Sequence, residues 1–211
     1  MGISQYKLIL FDVDSTLIQQ EVIDLLAQRT DHGDSVASIT NRAMAGELDF
    51  DQALIERVAL LKGLPASVID EVCAEITFSP GALDLIAELR KHNFVVGAVS
   101  GGFINVLSKL FHTLNLDYLR ANNLEIEGDV LTGRVLGSIV NRAAKKDSLI
   151  EFAAQHSINL SETIAVGDGA NDLEMIRAAG LGVSFRGKPI LNQAADVTLS
   201  DTRLDALLEH L

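Results

Sequence analysis

The segment SPGALDLIAELRKHNFVVGAVSGGF, residues 79–103, decides the fold class. Pro80 and Gly81 punctuate the chain. A helical run follows, then the short β-branched run FVVGAVS, and two glycines stop it. Helix, strand, glycine turn and helix in succession are the signature of a parallel sheet covered by helices. Working outward, strands are expected at TIAVGD (163–168), GLGVSF (180–185) and ADVTL (195–199), most of them followed by helical runs. The chain opens on another strand at residues 7–12. The expected fold class is therefore α/β, a Rossmann-like parallel sheet core.

Between the first strand and Pro80 the texture changes. Helical periodicity runs to about residue 77 without a strand signal, as in DQALIERVALL, where Leu54, Val58 and Leu61 share a face. Four helices fit there. The reading is a core of residues 1–18 and 78–211 carrying an inserted small helical domain, 19–77. LEIEGDVLTGRVLG (124–137) alternates around Gly128 and Asp129, and is expected to be a hairpin hung on the core as a flap.

With 211 residues, 48% of them hydrophobic, the chain can bury a sizeable core. Its formal net charge of -12 argues against nucleic acid or an anionic membrane as partner, since phosphate-binding surfaces need clustered Lys and Arg. The single cysteine, Cys73, cannot form an intrachain disulfide. The start lacks the pattern of a signal peptide, and no run of about 18 apolar residues is present. A cytoplasmic protein is expected. The histidines at 32, 92, 112, 156 and 210 are scattered and receive no catalytic or metal role.

Three strand ends carry polar, glycine-rich sequence: FDVDST (11–16), VSGGF (99–103) and VGDGAND (166–172). Ligands bind at the carboxyl ends of parallel strands, so these segments converge if the sheet is as read. Asp12, Asp14, Asp168 and Asp172 then share one mouth. They cannot all stay ionised there without a cation, and hard oxygen ligands favour Mg²⁺. SGGF offers backbone N–H groups before a helix, an anion site. AAKKDS (143–148) supplies two lysines, either able to neutralise a phosphoryl group. A phosphoryl group so held can be attacked by one carboxylate while a second protonates the leaving oxygen, and aspartates at i and i+2 suit those roles. Alone, an Asp-x-Asp is more often turn or capping chemistry, and Glu21 is a first-turn charge favoured by the helix dipole. Arg57 falls between Leu54 and Leu61 on a face that should be apolar, which fits either a binding residue or a snorkelling side chain.

DVDSTL, SGG, Lys145 and GDGAND stand in the order of the four motifs of the haloacid dehalogenase-like phosphatases. DVDSTLIQQEVIDLLA, ERVALLKGLP and VSGGF resemble the phosphoserine-hydrolysing members of that family. The resemblance covers nearly the whole chain. It implies that Asp12 is the nucleophile and Asp14 the general acid/base. It implies Mg²⁺ held by the Asp12 carboxylate, the Asp14 backbone carbonyl and Asp168, with Asp172 supporting the metal's water shell or the lysine. Ser100, Gly101, Lys145 and Asn171 would hold the phosphoryl group. The inserted helices would be a cap in which Glu21 takes the ammonium of O-phospho-L-serine and Arg57 its carboxylate, with Met44 and Phe50 lining the pocket. The implied reaction is hydrolysis of phosphoserine through an aspartyl phosphate, by a monomer or homodimer acting on a small molecule. Three other readings are a phosphotransferase passing the phosphoryl group to an acceptor such as homoserine, a phosphatase for another small phosphomonoester, and a phospho-accepting signalling module. A nucleotide-sugar transferase reading would use Asp-x-Asp as a Mn²⁺ ligand, but no nucleotide-binding unit precedes the first strand.

Overall fold

A computed structural model describes residues 5–111, 114–200 and 203–211. His112 lies outside the described residues. The hydrophobic runs become strands β1 (Leu8–Phe11), β2 (Val95–Phe103), β3 (Tyr118–Glu127), β4 (Val130–Leu136), β5 (Thr163–Gly167), β6 (Leu181–Phe185) and β7 (Val197–Leu199). They form one sheet in the order β4-β3-β2-β1-β5-β6-β7, parallel except for β4. Every residue of β1 and β5 is buried, as expected for strands covered on both faces. No helix among the described residues is long and apolar enough to cross a membrane.

Chain order reverses beside β1. From β1 the chain moves to β2 and β3 on one side, then returns to place β5, β6 and β7 on the other. Such a switch point opens a crevice at the carboxyl ends of the two strands that flank it. Phe11 pairs with Val166 and Ala98, so Asp12 emerges level with the end of β5, beside the part of β2 that runs on past β1 to Phe103.

Helices α1 (Val22–Ala27), α2 (Gly33–Met44), α3 (Phe50–Ala59) and α4 (Val68–Glu75) follow β1. Leu54, Val58 and Leu61 are buried on the shared face that their spacing predicts. The segment leaves and rejoins the sheet side by side: Ile18 forms an antiparallel bridge with Phe78, and the Gln19 N–H donates to the Thr77 carbonyl at 3.0 Å. Beyond it run α5 (Ala82–Lys91), α6 (Ile104–Phe111), α7 (Arg142–Gln155), α8 (Leu173–Ala178) and α9 (Pro189–Asn192). Gly81 precedes α5 at φ +80°, a conformation that suits glycine, and a Cβ there would also fall 2.2 Å from Asp205 Oδ1.

The hairpin is more than a flap. β3 begins at Tyr118 as a parallel neighbour of β2, six residues before the predicted start, and only its second half turns back into β4. β4 is also fastened to the inserted helices. Gly63 N–H donates to the Leu131 carbonyl (2.9 Å), Leu131 N–H to Leu64 (2.8 Å) and Ala66 N–H to Asp129 (2.8 Å).

Candidate active site

The turn after β1 sets the geometry. Ile18 N–H reaches back five residues to the Val13 carbonyl at 3.0 Å, and Ser15 within this turn takes φ +58°. Asp12 and Asp14 are both buried in consequence. Asp14 is held by two donors, Val22 N–H at the start of α1 (2.8 Å to Oδ1) and the Ser100 hydroxyl within β2 (2.6 Å to Oδ2). Ser100 Oγ in turn accepts from Gly102 N–H at 2.7 Å. One carboxylate thus ties together β1, α1 and β2.

Asp12 belongs to a second network. Lys145, fully buried on α7, donates to Asp12 Oδ1 at 2.5 Å and to Asp172 Oδ1 at 2.6 Å. Asp172 Oδ2 accepts from the N–H groups of Asp168 and Gly169, both at 3.1 Å. The Asp172 side chain thus meets the lysine and also belongs to the acidic cluster with Asp12 and Asp168. One residue further along α7, Lys146 turns outward to Glu174 at 3.0 Å. Asn141 starts the helix by accepting from Ala144 N–H at 3.1 Å, which fixes the register that sends Lys145 inward.

The charges do not balance. Oxygens of Asp12, Asp168 and Asp172 lie within 4.8 Å of one another, against one lysine. Burial pushes the Asp12 carboxyl well above its ordinary range, and Asp172 pushes the same way against the pull of Lys145. Asp168 is likewise raised by burial, then by Asp12 and Glu21. Burial also raises Asp14, opposed by its bonds to Ser100 and Val22. Desolvation would lower the Lys145 ammonium, but Asp12 and Asp172 outweigh it and hold it above its usual value. Asp172 has both oxygens engaged, whereas the Asp168 carboxylate makes no hydrogen bond among the described residues and Asp12 keeps one oxygen free of the lysine. A hard divalent cation fits this donor set.

These groups floor a small cavity of about 20 Å³. Asp12, Asp14, Asp168, Asn171 and Gly101 meet Glu21, Met44, Phe50 and Arg57 there. Ser100, Lys145 and Asp172 stand behind that lining and act on it through Asp14 and Asp12. The Asn171 Oδ1 is buried without a hydrogen-bond partner among the described residues. Phe50 closes over Gly101, where a Cβ would come 2.7 Å from the ring, and the Met44 sulfur rests against Gly169. Opposite the aspartates, Glu21 accepts from the Ser15 hydroxyl at 2.8 Å. Burial, then Asp14, raises the Glu21 carboxyl to about 7 despite that bond. Arg57 is 2% exposed, with Nε on the Ala53 carbonyl (3.0 Å) and Nη1 on Thr40 Oγ1 (2.9 Å).

The sequence reading gave no site role to Ser15, Ile23, Leu54 or Thr40. Leu54 was legible as a buried position, but nothing in its spacing says that it faces a cavity. The two hydroxyls touch the charged groups from behind and leave no motif.

The model of the haloacid dehalogenase-like hydrolases matches residues 9–177, a span that holds every aspartate of the cavity floor. The chain is 50% identical to a phosphoserine phosphatase of Mycobacterium tuberculosis over 202 residues, 96% of this chain and 49% of the relative, so it spans about half that relative's length. It is 49% identical to a phosphoserine phosphatase of Streptococcus thermophilus over 204 residues, 97% of this chain and 95% of the relative. A solved structure of a phospho-aspartyl intermediate analogue of phosphoserine phosphatase superposes with a TM-score of 0.95 at 42% identity, covering 98% of this chain and 99% of that one. Sequence and fold agree along almost the full chain, and it belongs to the haloacid dehalogenase-like hydrolase family.

Proposed function

We infer that the chain hydrolyses O-phospho-L-serine to L-serine and phosphate through an aspartyl phosphate on Asp12. The observation that carries this reading is one cavity lined by two unlike sets of groups. One set is a lysine-held aspartate with its neighbouring carboxylates, the other a carboxylate and a guanidinium, Glu21 and Arg57. The first set suits a phosphoryl group. The second suits the ammonium and carboxylate of an amino acid, with Glu21 taking the former and Arg57 the latter. The phosphoserine phosphatases among the relatives support the same substrate.

In the first step an Asp12 oxygen forms a bond to phosphorus as the bond to the serine oxygen breaks, and Asp14 gives that oxygen its proton. Burial favours the protonated Asp14 that this step requires. Asp14 then takes a proton from the water that cleaves the aspartyl phosphate. Lys145 holds Asp12 in place and offsets the charge of two anions brought together. Asn171 and the Gly101 backbone line the cavity for the phosphoryl group, and Ser100 orients Asp14. The Asp12 and Asp168 carboxylates with the Asp14 backbone carbonyl would hold Mg²⁺, which when bound supplies further neutralisation of the phosphoryl charge.

Residues 19–77 act in this reading as a cap over a core of 1–18 and 78–211. Its two junctions meet at the Ile18–Phe78 bridge, and residues 63–66 tie it further to the β3–β4 hairpin. The lone Cys73 suits a reducing cytoplasm, and the protein works on its small substrate as a monomer or homodimer. The test is phosphate release from a panel of phosphoamino acids and sugar phosphates, with Mg²⁺ and with chelator. Phosphoserine is expected to lead, and chelator to stop turnover. A sugar phosphate in first place would overturn the substrate. Homoserine that lowers free phosphate while phosphohomoserine appears would make the chain a transferase.

A further inference from the structure

Arg57 has an unusual set of partners for a guanidinium placed among carboxylates. Nε is used by its own helix and Nη1 by a hydroxyl, while Nη2 makes no hydrogen bond among the described residues. Glu21, Asp24 and Asp14 are the charges that act on it, yet none is in ion-pair contact with it among the described residues. The hydroxyl belongs to Thr40, itself 2% exposed on α2. Thr40 Oγ1 lies 2.7 Å from Asp24 Oδ1 and 3.0 Å from the Val36 carbonyl. A hydroxyl has one proton to give, and both of these neighbours are acceptors. Its lone pairs are left to receive the Arg57 Nη1–H.

A free arginine in a low-dielectric cavity would fold onto the nearest carboxylate, since a charged pair there attracts far more strongly than a neutral acceptor does. Such a collapse onto Glu21 would use up both groups that an amino-acid head requires. A neutral hydroxyl fixes the plane of the fork without cancelling its charge. We propose that Thr40 is a positioning residue for substrate selection, holding Arg57 away from Glu21 so that ammonium and carboxylate sites remain open together. Asp24 supports it by taking the hydroxyl proton and turning a lone pair toward Arg57. This rests on the phosphoserine reading given above.

Steady-state kinetics of wild type, Thr40→Val and Thr40→Ser with phosphoserine and phosphoethanolamine test it, because the second ester keeps the amine and lacks the carboxylate. Thr40→Val matches the shape and removes the hydroxyl. Its KM for phosphoserine is expected to rise about 10-fold or more, with kcat much less changed, and the preference for phosphoserine over phosphoethanolamine is expected to fall by a similar factor. Thr40→Ser restores the preference. A ratio unmoved by Thr40→Val, or lost equally in Thr40→Ser, overturns the proposal while leaving the substrate reading intact. A wild type that shows no preference between the two esters overturns both. If Thr40→Val does not fold, Asp24→Asn probes the same relay. It keeps an oxygen acceptor but loses the charge, and is expected to reduce the preference about 3-fold. An unchanged preference there also overturns the proposal.

Discussion

The Lys145 ammonium sits 2.5 Å from Asp12 Oδ1 with its side chain wholly out of contact with solvent. Its removal would leave Asp12 and Asp172 buried and facing each other without a cation. Breaking a buried pair in this way costs about 3–5 kcal/mol. Lys145→Ala is therefore expected to lower thermal stability sharply and to abolish phosphate release. Lys146 is paired with Glu174 across a partly exposed surface, so Lys146→Ala should stay within about 0.5 kcal/mol of wild type and keep its activity. Melting curves and turnover of the two variants, measured together, decide whether the register of α7 is functional.

Asp12→Asn keeps the shape of the side chain and removes the proposed nucleophile. Turnover should disappear while circular dichroism and melting remain those of a folded protein. Activity above a few per cent, with deamidation excluded by mass spectrometry, would take Asp12 out of that role.

Arg57→Ala should cut the ratio of kcat/KM for phosphoserine over phosphoethanolamine by at least about 30-fold, because truncating one side of a desolvated charge pair costs about 2 to 5 kcal/mol. Arg57→Lys is expected to recover only part of the loss, as an ammonium lacks the planar fork. An unchanged ratio in Arg57→Ala would reduce Arg57 to a structural side chain.

Glu21 gives a pH dependence with a definite sign. Its carboxyl is raised by burial and then by Asp14 to about 7, from an ordinary value of 4.5. A raised acid stabilises the fold while protonated in both states, below pH 4.5, and that contribution is lost as pH climbs through 7. In chelator, the melting temperature of wild type should therefore fall between pH 4.5 and 7 more steeply than that of Glu21→Gln. Parallel curves would show that Glu21 titrates normally. If ionised Glu21 receives the substrate ammonium as proposed, KM for phosphoserine should drop over the same rise in pH.

Much of this was legible because chemistry and periodicity coincide at the important places. Asp12 and Asp168 each end an apolar strand, and Arg57 interrupts an apolar helical face, so all three contradict their surroundings and attract notice. The first half of β3 was hidden for the opposite reason. Arg120, Asn122 and Asn123 look like a loop, yet Asn122 is 1% exposed and does backbone work. Its Nδ2 donates to the Gly101 carbonyl at 2.8 Å and its Oδ1 accepts from Val140 N–H at 2.8 Å, where the pairing of β2 with β3 breaks register. A side chain standing in for ladder hydrogen bonds carries no alternating pattern. Ser15 and Thr40 escaped notice on different grounds, since a hydroxyl that supports a charged neighbour has no spacing to give it away.

The fastening of β4 to residues 63–66 has a consequence for how the molecule can be taken apart. β4 is the outermost strand beside β3, and Val130 and Leu136 on it are exposed. A bare strand of this kind is a template for pairing with other chains. Gly63, Leu64 and Ala66 occupy part of that template by bonding Leu131 and Asp129. The connection between α3 and α4 therefore covers part of this edge. Excising residues 19–77 with a short linker would strip that cover, and the remaining sheet would be expected to aggregate through its β4 edge. Light scattering should detect this, and a lysine at Val130 should suppress it.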